Sequence, residues 1–159
     1  MFDLMKILEV SDYSEVPRAL MKKITSTEAD AFFANLKNEN RDADILRDFF
    51  QERYAARKGL KQDYTPDCLG RLINKLTGDS EKTLDICSGT GTLIINGNQE
   101  GTYTCEELNG DVIPFLLFNL AFRNIKAIVF QKDVITQEIK RTFTVEKGDK
   151  YGIISESDF

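Results

Sequence analysis

Across residues 29–58, apolar side chains return every three to four positions, at Phe32, Phe33, Leu36, Ile45, Leu46, Phe49, Phe50 and Tyr54, with charged residues between them. That spacing lines one face of an α-helix, so residues 1–60 read as an N-terminal helical section, with Gly59 as its stop. Thr65-Pro66 then opens another helix, with Thr65 as N-cap, Pro66 in the first turn, Leu69, Leu72, Ile73 and Leu76 on one face, and Gly78 at the end. Beyond this point the period changes. Apolar runs at 83–87, 102–105, 127–130 and 151–155 are short and end in polar or glycine-rich residues, as strands do. Between the second and third lies a helix candidate, 112–122, which tolerates Pro114 because it falls in the first turn. Strands alternating with helices predict an α/β fold with a mostly parallel sheet, right-handed crossovers, and ligands gathered at the carboxyl ends of the strands.

The chain has 159 residues, 42% of them hydrophobic and 30% charged, enough for one core, so the two sections are expected to form one compact unit. No run of about 18 uncharged apolar residues exists, which predicts a cytoplasmic protein without a membrane span. Histidine is absent, which removes Ser-His-Asp and Cys-His mechanisms. The three cysteines, Cys68, Cys87 and Cys105, have no metal-binding spacing. A net charge of -5 supplies no general attraction for phosphate backbones, so contact with DNA would require additional subunits.

The candidate chemistry begins at Leu84-Asp85-Ile86-Cys87-Ser88-Gly89-Thr90-Gly91-Thr92, an apolar strand entering a small-residue turn ahead of Leu93-Ile94-Ile95. Glycines there let backbone approach a ligand closely, and free N–H groups at a helix start can receive an anionic group. An ordinary tight strand-to-helix turn has the same letters. Glu107 follows at the end of the next strand, where an acid can accept hydrogen bonds from both hydroxyls of a ribose, and Glu106 points to the opposite side. Ile94 stands where a nicotinamide-dinucleotide fingerprint needs its third glycine, and no Gly-Lys-Ser/Thr follows, which excludes phosphate-loop NTPases. The helix after Gly91 must be short, because the next strand begins soon after Asn96-Gly97.

These segments carry a family resemblance. Residues 85–92 resemble the D-P-A-C-G-T-G-G segment of type I restriction-modification methylation subunits and related adenine-specific (N-6) DNA methyltransferases, with Ile86 in place of Pro. Residues 61–66, Lys-Gln-Asp-Tyr-Thr-Pro, are similar to the family's Q-F/Y-Y-T-P segment, and Glu107-Leu108-Asn109 with residues 119–124 to its E-x-N and N-L-A-x-R-G stretches. The resemblance implies a partial Rossmann-like class I methyltransferase domain over 61–159 that binds S-adenosylmethionine. Tyr64, Thr65 and Pro66 would meet the methionine end. Asp85, Cys87, Ser88, Gly89, Thr90 and Gly91 would form the glycine corner, Glu107 and Leu108 would hold the ribose side, and Asp133 with Val134 the adenine.

Catalysis in the family needs an N-P-P-F/Y segment after the fourth strand, where the flipped adenine is held and stacked. Here 151–155 aligns as that strand and the segment reads Glu156-Ser157-Asp158-Phe159, so no catalytic residue is assigned and the chain is expected to be inactive alone. The outer edge of 151–155 is expected to recruit a second copy or a methyltransferase partner. Two other readings stand beside this one: a non-catalytic interaction or regulatory module derived from a methyltransferase, as a mobile element would carry, and a helical adaptor acting through 29–58.

Overall fold

The structure, a computed structural model, describes residues 4–36, 44–47, 49–50 and 65–157. Tyr54, Gly59, residues 61–64 and residues 158–159 lie outside the described residues. Three short helices open the chain, α1 (Leu4–Leu8), α2 (Val16–Ile24) and α3 (Ala29–Asn35). The first two lie ahead of the segment where the period is legible, yet Leu4, Leu8, Val16, Leu20 and Ile24 are all buried. Asp12 caps the 3-10 turn that leads into α2 by accepting from the Ser14 N–H, and Pro17 sits in the first turn of α2, where its missing N–H costs no hydrogen bond.

The α/β part runs α4 (Asp67–Thr77), β1 (Lys82–Ile86), α5 (Thr92–Ile95), β2 (Thr102–Glu107), α6 (Ile113–Phe122), β3 (Lys126–Lys132), β4 (Ile139–Glu146) and β5 (Ile153–Ser157). Sheet order is β1-β2-β3-β4-β5, with β1, β2 and β3 parallel and the β3–β4 and β4–β5 pairings antiparallel. The α/β class stands as expected. The mostly parallel sheet does not: half of the strand pairings are antiparallel, because β4 was not anticipated and it returns the chain beside β3 through a tight turn instead of a helix.

Smaller corrections have local causes. The cap of α4 is Pro66, in extended conformation and without a side-chain bond, so Thr65 is not the N-cap. Cys87 has φ 63, which removes it from β1 and puts it into the following turn. Gly78, with φ 74, does end α4, and α5 is short as the spacing required.

All ten residues of α6 are buried. This helix lies between two layers, packing on β3, β4 and β5 on one side and on α2 on the other, which is why it is apolar all round. Phe33 of α3 meets Phe118 at 5.7 Å, Phe122 at 6.1 Å and Tyr151 at 5.1 Å, and Phe115 meets Phe50 edge-on at 5.0 Å. One contiguous apolar cluster therefore joins the N-terminal helices to the sheet.

Strand alternation assigns the two sheet faces. The register aligns Asp85, Cys105 and Val129, and then Phe143 and Glu156, on one face. The neighbouring positions Leu84, Thr104, Ile128, Thr144 and Ser155 point the other way. Leu84, Ile128 and Ile153 on that second face are exposed.

Candidate functional site

Because β1, β2 and β3 are parallel, their carboxyl ends meet along one rim of the sheet. The turn leaving β1 is left-handed at three places, Cys87 (φ 63), Gly89 (φ 56) and Gly91 (φ 91). A Cβ on Gly91 would come within 2.9 Å of Leu116 Cδ1, so only glycine fits both the angle and the space there. Ser88 turns inward. Its N–H donates to the Glu106 carbonyl at 3.0 Å and its hydroxyl to the Asp85 carbonyl at 2.6 Å, closing the turn onto β1 and β2.

Glu107 ends β2 against this corner. Its Oε2 accepts the Gly89 N–H at 2.9 Å and its Oε1 accepts the Asn109 N–H at 2.8 Å. A carboxylate has about four acceptor positions, so each oxygen retains a further lone pair. Glu106 lies on the opposite face, as alternation requires, paired with Lys132 Nζ at 2.7 Å.

Asp85 stands beside Glu107. Burial, and secondly the negative charge of Glu107, push its carboxyl up to about 6. Its Oδ2 is shielded from solvent and has no hydrogen-bond partner among the described residues, an arrangement that costs stability unless something else uses it. Asp85 also borders a groove of about 410 Å³ between α4, β1 and α5, with Ile73, Asn74, Leu93 and Tyr103 among its walls. The Cys87 thiol is pushed above the usual thiol range by burial and by Glu107, Asp85 and Glu106, so it is a poor nucleophile at neutral pH.

The remaining expected positions divide. Leu108 is exposed beside Glu107. Thr90 is buried, and its hydroxyl donates to Asp44 Oδ2, so its side chain faces the interior. Asp133, just past β3, accepts the Ile135 N–H at 2.8 Å and the Thr136 N–H at 3.2 Å, which hold its carboxyl below the usual range and make it the head of the turn into β4, next to Val134. Thr65 is half-buried and its carbonyl faces Arg47 Nη1 at 3.5 Å, Pro66 is exposed, and Tyr64 lies outside the described residues. Glu156 of β5 is bound through both oxygens to Arg141, at 2.7 and 2.9 Å, with the exposed Ser157 next to it.

The residue missed from sequence is Asp44. Its Oδ1 accepts the N–H groups of Leu46 and Arg47, at 3.3 and 3.0 Å, and Asn119 Nδ2 at 2.8 Å, while Oδ2 accepts the hydroxyls of Thr90 and Thr92. It braces the glycine corner from behind. Its partners are 46, 48 and 75 residues away, which no local pattern displays.

Together the rim offers two acids, a backbone corner and exposed apolar surface, a set suited to a ligand with hydroxyl groups and a cationic end. No protein-family model, no curated protein and no solved structure matches this chain. No helix among the described residues is long and apolar enough to cross a membrane.

Proposed function

We propose that this chain is the S-adenosylmethionine-binding domain of a protein related to adenine-specific DNA methyltransferases, one that holds the cofactor without transferring its methyl group unaided. The observation that carries the reading is the bond from the Gly89 N–H to Glu107 Oε2. It joins the glycine corner to the acid at the tip of the neighbouring parallel strand, the two features that the motif order had linked.

The residues fit such a ligand. Asp85 Oδ2, buried and unpartnered among the described residues, is an acceptor for the ammonium of the amino-acid tail, and a cation there would favour the ionised carboxyl and lower its raised pKa. Glu107 keeps lone pairs for the two ribose hydroxyls, and Leu108 supplies apolar surface beside them. Asp133 would reach the adenine amino group through the oxygen its turn does not use. Thr90 would act from behind, through Asp44, and not by contact. When bound, the cofactor would supply a methyl group activated on a sulfonium.

Transfer would require partners. In sequence order Glu156 and Ser157 align with the family's Asn-Pro, and Glu156 is committed to Arg141. Strand β5 lies four strand spacings from β1, about 19 Å at 4.8 Å per strand, too far for that segment to face a cofactor at the glycine corner. A second reading, a non-catalytic interaction module derived from such an enzyme, is favoured by the exposed apolar residues on α4 and β1. Methyl transfer to DNA on adding the products of adjacent reading frames would decide for the first.

Isothermal titration with S-adenosylmethionine tests the binding claim. Heat of binding is expected, with at least about tenfold weaker affinity for Glu107→Gln, because an amide turns one charged acceptor into a donor. No heat at roughly 1 mM ligand, which corresponds to about -4 kcal/mol, would remove the cofactor and the reading with it.

A further inference from the structure

Five of the eleven exposed large apolar residues among the described residues lie on α4 and β1, at one end of this sheet. On α4, Leu69, Leu72 and Leu76 are 44%, 52% and 78% exposed, and on the edge strand β1, Leu84 and Ile86 are 61% and 56% exposed. Those α4 positions form the stripe that an amphipathic helix normally buries, and α4 packs with its other side on α5. Among the described residues the edge itself has no strand beside it. β1 is terminal in the sheet, and the Thr102 N–H to Glu81 carbonyl bond sets its odd-numbered residues toward β2. Lys82, Leu84 and Ile86 therefore aim their N–H and C=O groups outward.

We propose that this end is a self-association surface, and that two copies of the chain pair through antiparallel β1 strands about a two-fold axis at Leu84. The register is self-complementary. Leu84 faces its own copy, Lys82 faces Ile86, and Thr83 faces Asp85, so no like charges stand opposite each other. An axis perpendicular to the sheet keeps both α4 helices on the same face, where their leucine stripes cover one another. The three α4 leucines expose on the order of 300 Å² per copy, and the paired β1 edges add backbone and rim toward the roughly 800 Å² per partner of a stable interface. The contact lies at the opposite edge of the sheet from β5, where the sequence suggested association.

Sedimentation velocity on the full chain is expected to show a dimer at micromolar concentration. Leu84→Lys and Leu76→Lys should each weaken it at least about tenfold, as loss of a central anchor does. Both residues are exposed in the single chain, so melting of the variants diluted to monomer should be unchanged; Ile153→Lys, on β5, should leave the dimer intact. In a Cys68→Ser, Cys87→Ser background, Leu84→Cys should cross-link on oxidation, because directly opposed residues in a bonded antiparallel pair lie about 5.5 Å apart at Cα, within disulfide reach. A monomer at tens of micromolar, a dimer indifferent to Leu84→Lys, or a dimer that Leu84→Cys fails to cross-link would each overturn the proposal.

Discussion

At Asp85 the surroundings work against charge. Burial raises its carboxyl to about 6, whereas the unfolded chain holds an aspartate near 3.9. A folded-state value above the unfolded one means that this group's contribution to stability is fully present below about pH 4 and is lost as pH rises through about 6. Asp85→Asn removes that dependence. It is expected to stabilise the protein at pH 7.5 by about 3 kcal/mol and to add little at pH 4, as measured by urea unfolding at the two values. Sequence spacing identified Asp85, Gly89 and Glu107 as neighbours, since strand, turn and strand follow directly in the chain. It did not identify the direction of Thr90, because a hydroxyl one residue from two glycines can face either way until Asp44 is in place.

Among the elements, α6 was the most legible and α4 the least revealing. An eleven-residue apolar run with Pro near its start permits little besides a buried helix, and the observed helix begins one residue later than expected. Phe118 sits at its centre, stacked on Phe122 at 5.5 Å and tilted against Phe33. Phe118→Ala is expected to cost about 3–5 kcal/mol, measured by chemical denaturation, because the emptied volume touches two layers that cannot both collapse into it. The stripe of α4 reads as core in sequence yet faces outward; periodicity reports which face is apolar, not what covers it. Strand β4 was missed although Thr142-Phe143-Thr144-Val145 alternates. The turn that leads into it, residues 133–138, carries no glycine or Asn-Gly, and Asp133 builds that turn instead.

Over the whole molecule, Asp44 ties the parts together. The residue is buried, and its bonds reach a helical turn of the N-terminal section, the glycine corner and α6. Asp44→Ala would leave two hydroxyls, an amide and two backbone N–H groups without their acceptor, and a loss of about 3 kcal/mol or more is expected in urea unfolding. Since one apolar cluster spans both sections, the far- and near-ultraviolet signals should be lost together in one transition.

The sequence alone determined what depends on neighbours along the chain: the helical character of the N-terminal section, the α/β class, the corner at Gly89 and Gly91, and the acid two strands' tips share it with. Periodicity and turn chemistry act over a few residues, and these features are of that length. Tertiary structure decided which strand lies beside which, that β5 ends up four places from β1, that Asp44 supports the corner, and that the leucines of α4 stay uncovered. Each of those outcomes follows from packing between segments tens of residues apart, where the energy of contact exists only once the chain has closed on itself.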